Sequence, residues 1–202
     1  MRVNPEKKEE KERVSAALLR ATLHLAAEHG FTSLGLREVS RAADIAPTSF
    51  YRHFADMEAL GLALIEDLAR PFVRSWVDRA QGPHDLVAGL ATAALAAVDE
   101  DPELMRFIVA ERVGAIPSFR KALRNELSAI STALRSAIAV EHGTGHTELP
   151  QHVADAAAAL VLEACARGLE RTEEPSPAVE RERLALQLGA LLSRPRRGGA
   201  SP

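Results

Sequence analysis

A chain of 202 residues, 47% of them apolar and only 4% aromatic, has room for one large domain or two small ones, and its many Ala and Leu residues favour helices. No apolar run reaches membrane-spanning length and the N-terminus is charged, so neither a membrane helix nor a signal peptide is expected. The single cysteine, Cys165, excludes an intrachain disulfide and fits a reducing cytoplasm, where we expect the protein to reside. We interpret it as a small buried residue and not as a reactive thiol.

The formal net charge of −3 is unevenly divided along the chain. Residues 1–55 carry nine Lys and Arg side chains against seven Asp and Glu, so they are positive by about two and the remainder is negative by about five. A positive N-terminal part on an acidic body agrees with nucleic-acid binding, but the difference is too small to establish it alone.

The first predicted helix follows a charged N-terminal arm. Residues 1–9 are expected to be loose, with Lys7, Lys8 and Lys11 as candidates for phosphate contact. The helix should run from Lys11 to His29 and end at Gly30, which suits a C-terminal cap.

Two short helices, separated by a four-residue turn, are predicted between Leu36 and Phe54. Gly35 can precede the first of them as its N-cap, with a carboxylate three residues further on. Asp44 takes the turn position where Gly is common, because Asp tolerates a left-handed backbone. Pro47 suits the first position of the second helix, since its fixed φ matches and its missing N–H is not needed. This layout is typical of a helix-turn-helix.

The outer face of the second helix carries polar side chains that suit a polyanion: Thr48, Ser49, Tyr51, Arg52 and His53. Hydroxyl groups bind phosphate oxygens, and Arg can also reach base edges. An ordinary helical corner with a polar outer face is the alternative, because such corners are common.

The stretch from Leu36 to Leu60, LREVSRAADIAPTSFYRHFADMEAL, resembles the N-terminal DNA-binding domain of the TetR family of bacterial repressors. The ending Tyr-Arg-His-Phe, followed by a short polar break and a new helix at Asp56, is typical of that family. A second segment, from Arg106 to Ala122, resembles the subgroup that regulates unsaturated fatty acid synthesis and fatty acid desaturation. The resemblance is strong over residues 10–70, moderate over 103–127 and weak beyond.

The remaining pattern is helical throughout. Helices are predicted at 57–80, with a kink at Pro71, and at 83–98, 102–112, 117–139, 151–171 and 178–192. The fold class is therefore all-α with about nine helices. The resemblance implies a DNA-binding domain at 1–55 and a helical ligand-binding and dimerisation domain at 56–193. Residues 194–202 are expected to be a disordered tail.

The sequence suggests neither catalysis nor a cofactor. His142, His146 and His152 fall in or beside one Gly-containing loop, but the loop lacks the rigid spacing and the further ligands of a zinc site, so a solvated loop is preferred to a metal. No nucleophile, base and acid are placed together by a motif, so we do not expect an enzyme.

The resemblance implies a homodimeric repressor on a palindromic double-stranded DNA operator. Arg37 is then expected to read a base, most plausibly guanine. Thr48 and Ser49 would enter the major groove beside Pro47, Tyr51 and His53 would bind phosphates, and Arg52 would do either. Helices 151–171 and 178–192 would pair with their copies in a four-helix interface.

Members of the resembled subgroup sense long-chain acyl groups, commonly as acyl-CoA, which implies an apolar effector between helix 57–80 and helices 83–98, 117–139 and 151–171. The candidate lining residues are Phe72, Trp76, Leu90, Phe107, Ile108, Phe119, Leu123 and Leu160. Apolar residues at helical spacing are most often plain core, however. A sensor of other apolar molecules, of the multidrug-efflux type, and a helical lipid-binding protein without a DNA role are the alternatives. Glu111 and Arg112 are expected to form a structural ion pair, or else to lie near the effector's polar head.

Overall fold

The computed structural model describes residues 5–80, 86–142, 149–170 and 176–192, and within these ranges it contains helices and no strand. The ten α-helices are α1 (Pro5–His29), α2 (Leu36–Ala42), α3 (Pro47–Phe50), α4 (Met57–Leu64), α5 (Arg70–Ala80), α6 (Leu86–Glu100), α7 (Pro102–Glu111), α8 (Pro117–His142), α9 (Gln151–Glu170) and α10 (Pro177–Leu192). A 3-10 turn covers Phe31–Ser33, and a π-helical segment, Ile65–Ala69, joins α4 to α5. Counted as one helix from Met57 to Ala80, this run brings the described part of the chain to the nine helices predicted. The all-α prediction is confirmed.

Local capping chemistry sets several of the helix boundaries. The Asp56 side chain accepts a hydrogen bond from the N–H of Ala59 at 2.7 Å, which starts α4 where the sequence predicts it. Asp101 does the same for the N–H of Leu104 at 3.0 Å. Gly30, with a φ of 78°, ends α1 as expected, because a left-handed backbone there costs glycine little.

The expected loose N-terminal arm is helical from Pro5 onward, so that prediction is wrong for residues 5–9. Proline suits a first helical position because its missing N–H is not needed there. The charged run that follows supports the helix through pairs one turn apart: Arg13 lies 2.7 Å from Glu10, and Lys8 lies 3.7 Å from Glu12. Residues 1–4 lie outside the described part.

Pro71 is accommodated by a change of hydrogen-bond register. In a regular α-helix its ring would collide with the carbonyl of Asp67, and it has no N–H to donate. The π-helical segment Ile65–Ala69 ends just before it, and the wider turn relieves that conflict. Arg70 holds this region by bonding Glu66 at 3.0 Å and Glu126 at 2.9 Å.

Several predicted features lie outside the described residues: the break at 81–83, most of the loop holding His146, the linker at 173–175 and the tail at 194–202. The side chain of His142 lies outside them too, and His152 is exposed on α9. Among the helices that are described, none is both long and apolar enough to cross a membrane.

Two compact units divide the chain: Met1–Arg74 with Asp101–Glu126, and Ser75–Glu100 with Leu127–Pro202. These packing units do not test the functional boundary expected near residue 55, which stays a prediction. In the first unit α1 packs against α2, α4 and α7. In the second, α6, α9 and α10 pack against one another.

The first unit is built around three aromatic rings, Phe31, Phe107 and Phe119, which we call the aromatic cluster. The ring centroids of Phe31 and Phe119 lie 4.8 Å apart at an interplanar angle of 73°, and Phe107 lies 6.3 Å from each. This edge-to-face geometry is the favoured one for aromatic pairs. Gly61 of α4 lies directly against the Phe119 ring, where an added Cβ would overlap it.

Small residues dominate the second unit, as its Ala-rich sequence suggests. Gly168 of α9 lies so close to Val98 of α6 that an added Cβ would be 3.4 Å from its methyl groups. Cys165 is buried beside Ala94, and burial raises the pKa of its thiol to about 12. A thiol that stays protonated is a poor nucleophile, which supports the structural interpretation.

The packing at Gly61 predicts a specific stability effect. Gly61→Ala should lower the free energy of unfolding by about 1–3 kcal/mol, because the new methyl group must displace the Phe119 ring in a filled core. Urea denaturation followed by circular dichroism measures this. Gly35→Ala is the control: a Cβ there meets no atom within 4 Å and the φ of −106° is open to alanine, so a smaller loss than that of Gly61→Ala is expected. Unchanged stability of Gly61→Ala would contradict the described packing.

Candidate nucleic-acid interface

The helix-turn-helix is held together from its inner side. Val39 of α2 and Phe50 of α3 are fully buried, and Phe54 is buried beside Phe50 with its ring centroid 5.9 Å away. Both phenylalanines therefore point inward. The turn between the helices is closed by the N–H of Ile45, which donates to the carbonyl of Ser40 at 2.8 Å.

Asp44 adopts the left-handed conformation that its place in the turn predicts, with a φ of 55°. Its N–H donates to the carbonyl of Arg41 at 3.1 Å. The exposed Asp44 carboxylate brings a negative charge to a position where glycine would bring none.

The second helix is shorter than the sequence suggests. Its α-helical part ends at Phe50, and the chain continues in tight turns in which the N–H of Arg52 bonds the carbonyl of Ser49 at 3.1 Å. The predicted continuation to Phe54 is therefore turn and not α-helix. The competing constraint is Asp56, which caps α4 only two residues later and leaves no length for another helical turn.

Seven residues predicted to contact DNA define what we call the recognition surface: Arg37, Pro47, Thr48, Ser49, Tyr51, Arg52 and His53. Five of them are exposed, and Ser49 and His53 are half-buried. Tyr51 is 65% exposed, an unusual position for a large aromatic side chain. Its ring packs edge-on against Phe50, with centroids 5.7 Å apart, so the base of the side chain is held while its outer part faces solvent.

His53 differs in charge from the arginines of this surface. Burial lowers its pKa, and the positive charges of Lys11 and Arg52 lower it further. The imidazole is therefore neutral near pH 7 and able to donate one hydrogen bond without carrying charge. Its Nδ1 is buried and has no hydrogen-bond partner, so the donor toward a ligand would be Nε2.

Lys11 of α1 affects the recognition surface through space, because its positive charge contributes to the lowered pKa of His53. From the sequence alone, Lys11 is one of several charged residues of α1 that are candidates for phosphate contact. In the folded domain it lies close enough to His53 for its charge to affect the imidazole. The amphipathic pattern of α1 could not reveal this neighbour, because it is set by tertiary packing.

The residues predicted to line an effector site are distributed over both units, and most of them are core. Phe107, Ile108, Phe119 and Leu123 are buried in the first unit, where Phe72 is half-buried. The second unit contains Trp76 and Leu90, both buried, and the half-buried Leu160. Their role in binding a ligand stays a prediction.

The ion pair expected between Glu111 and Arg112 is not formed. Glu111 is buried at the end of α7, and neither its Oε2 nor the Nε of Arg112 has a hydrogen-bond partner among the described residues. Burial raises the pKa of Glu111, and the backbone N–H of Phe31 opposes that rise.

The N-terminal part of the chain matches a known family, and the whole fold is found in solved structures. Residues 18–64 match the family described as bacterial regulatory proteins, tetR family. The fatty acid degradation regulator FadR from Bacillus halodurans superposes with a TM-score of 0.71 at 16% identity, over 96% of this chain and 100% of that one. GusR from Salmonella enterica gives a TM-score of 0.70 at 22% identity, over 89% and 95% of the two chains. The multidrug binding protein EbrR, complexed with imidazole, gives 0.67 at 17% identity, over 91% and 97%.

At such low identities the superpositions show a shared fold and nothing about ligands. The family match is more informative for the N-terminal part, because residues 18–64 include the whole helix-turn-helix from Leu36 to Phe50. Residues 18–64, which include the helix-turn-helix, are therefore similar to the tetR family of bacterial regulatory proteins, and the all-helical fold of the chain is shared with solved structures such as those of FadR and EbrR.

Proposed function

We propose that the protein is a transcriptional repressor of the TetR type, which binds a palindromic operator as a homodimer and whose operator affinity is modulated by a long-chain fatty acyl ligand, such as an acyl-CoA. The observation that carries the DNA-binding part is the recognition surface: an exposed set of hydroxyl, guanidinium and imidazole groups on a helix-turn-helix of the TetR type. A lipid-binding protein without a DNA role would have no use for that set.

Five residues of the recognition surface have three kinds of expected role. Arg37, exposed near the start of α2, is the candidate for reading guanine through its O6 and N7 atoms. The hydroxyl groups of Thr48 and Ser49 would enter the major groove. Tyr51 and His53 would bind phosphates, which fix the protein's position on DNA without reading its sequence.

The dimer is supported by the outer face of α10. Its buried residues Leu184 and Leu188 pack inside the second unit, whereas Val179 is 52% exposed and Leu186 is 68% exposed. Val179 and Leu186 are seven positions apart, so they share one helix face. These two exposed apolar side chains on α10, which packs next to α9, suit pairing of the two helices with their copies.

The identity of the effector is the finer part of the proposal. The acyl class is supported by the resemblance of segment 106–122 to regulators of unsaturated fatty acid synthesis, and the same fold occurs in the fatty acid degradation regulator FadR. The second candidate is a sensor of other apolar molecules, favoured by the equal likeness to the multidrug binding protein EbrR. Both kinds of site would be lined by apolar side chains, so lining composition does not separate them.

To regulate DNA binding, an effector needs only a weak effect on helix 57–80. A coupling free energy of about 1–3 kcal/mol changes operator affinity about 5–150-fold, and DNA must then change effector affinity by the same factor. The π-helical segment beside Pro71 is the place in that helix where a change of shape is easiest.

Two substitutions separate base reading from phosphate contact. Arg37→Ala should weaken operator binding by about 1–3 kcal/mol and relax specificity at one base pair, whereas Tyr51→Phe should weaken binding to all sequences alike. Fluorescence anisotropy with operator and random duplexes measures both affinities. The exposed Arg124 of α8 provides a control, since Arg124→Ala leaves the recognition surface intact. An equal loss on operator and random DNA for Arg37→Ala would refute its base-reading role.

The dimer proposal predicts a mass near twice that of the monomer in light scattering at micromolar concentration. Leu186→Lys should shift this mass toward the monomer, because the charge would be buried without a partner in the interface. Val113→Lys is the matched control, since Val113 is 69% exposed but lies outside α9 and α10. A wild-type protein that runs as a monomer would sink the proposal.

The acyl proposal predicts that saturated or unsaturated long-chain acyl-CoA changes operator affinity, whereas free CoA does not. The operator is first located by gel shift with DNA fragments upstream of the protein's own gene, and is then titrated in the presence of each compound. A shift with acyl-CoA alone supports the fatty acyl class. If no acyl-CoA shifts the affinity, the lipid assignment fails and the multidrug-type alternative takes its place.

A further inference from the structure

We propose that Glu180 is a positioning residue for dimer formation: it ties α10 to α9 through Arg167, and it neutralises Arg183, a cation on the outer face of α10. That outer face is defined by exposed side chains at helical spacing: Val179, Arg183, Leu186 and Ala190. The inference rests on the proposed homodimer, in which a second copy covers this face. The contacts of Glu180 themselves lie within the second unit of one protomer.

Glu180 is a carboxylate in the first turn of α10 that is almost completely buried. It is only 1% exposed, although the residues on either side of it are exposed. Arg167, in the last turn of α9, donates from Nε to Oε1 of Glu180 at 2.8 Å, and its Nη2 lies 2.7 Å from the same oxygen. Breaking a buried pair is costly, because the remaining charge is left without compensation. The pair therefore fixes the start of α10 against the end of α9.

The second oxygen of Glu180 faces a different arginine. Oε2 is also buried, and no hydrogen bond reaches it from the described residues. The Nη1 of Arg183, one turn along α10, lies 3.6 Å away, which is an ion-pair distance and too long for a hydrogen bond. The Arg183 side chain is 50% exposed, so it connects the buried carboxylate to the outer face of the helix.

Arg183 lies between the two exposed apolar residues of that face. Val179 precedes it by four positions and Leu186 follows it by three, and both are more than half exposed. When a second copy covers the face, Arg183 loses water, which is unfavourable for a cation unless a partner lies close. Glu180 is a partner that is already in place, and attraction between the two charges grows as water is excluded. Dimer formation should therefore depend on the charge of Glu180.

Subunit exchange between two fluorophore-labelled populations of the full chain tests this role, because dissociation of the dimer sets its rate. Glu180→Gln keeps an oxygen that can accept from Arg167 but removes the charge that neutralises Arg183. Exchange should become about ten- to a hundredfold faster, since each dimer contains the change twice. Glu180→Ala should exchange faster still, because the bonds from Arg167 are lost as well. Unchanged exchange in Glu180→Gln would overturn the inference.

Arg183→Leu, added to Glu180→Gln, separates the effect of charge from general damage to the fold. The double variant no longer has an uncompensated cation on the outer face and keeps an apolar side chain there. Its exchange should return to within about threefold of the wild-type rate, which is a non-additive result that only interacting residues give. A double variant that exchanges as fast as Glu180→Gln would show no coupling between the two residues and would also overturn the inference.

Glu126→Gln is the matched control, because Glu126 is a carboxylate in the first unit that is 13% exposed and lies 2.9 Å from Nε of Arg70. This variant should unfold at lower urea concentration, as Glu180→Gln does, but leave subunit exchange within about twofold of wild type. An equal acceleration would reduce Glu180 to a general contributor to stability and overturn the inference. A wild-type protein that is monomeric in light scattering would refute the proposed dimer, whereas a wild-type dimer that is insensitive to Glu180→Gln would refute the inference alone.

Discussion

The burial of the Phe119 ring against Gly61 and Phe31 is the contact on which the N-terminal unit depends. It joins α8, α4 and the turn after α1, three places that are far apart in the chain. Phe119 is fully buried, and only the missing side chain at Gly61 lets α4 approach it so closely. The helix-turn-helix is therefore supported from behind by apolar contacts. Its outer face carries polar groups, which contribute little to the stability of the fold.

The long helix that follows the helix-turn-helix shows how a local conflict is contained. Proline in a helix interior removes a hydrogen bond and collides with a carbonyl one turn earlier, at a cost of about 3 kcal/mol. Here the conflict is confined to the π-helical segment Ile65–Ala69, and regular α-helix resumes at Arg70. The two carboxylates that Arg70 bonds, Glu66 and Glu126, tie this point to α8. The irregular segment is thus flanked by a fixed contact on one side and by the packing of Gly61 on the other.

Features governed by nearest neighbours could be predicted from the sequence, and features governed by distant contacts could not. Gly30, Asp44, Pro47 and Asp56 each act through a backbone preference or a cap within a few residues, and the structure has each as predicted. The predicted start of α1 was wrong because charged pairs one turn apart extend the helix toward the N-terminus without any apolar pattern. The charge that Lys11 brings to His53 comes from a residue far away in the sequence, so no spacing rule predicts it. The lining of an effector site could not be predicted for another reason: core and pocket use the same residue types.

The chemistry of the recognition surface explains why accurate positioning would matter to a repressor built this way. A protein that binds DNA mainly through charge tolerates small displacements, because Coulomb attraction changes slowly with distance. Here three of the seven groups, Thr48, Ser49 and Tyr51, are neutral hydroxyls, and the pKa of His53 is lowered so that it too is neutral near pH 7. Hydrogen bonds from neutral groups weaken steeply when their distance or angle departs from the optimum. Hydrogen bonding to DNA through such a surface would therefore depend closely on where α2 and α3 are held.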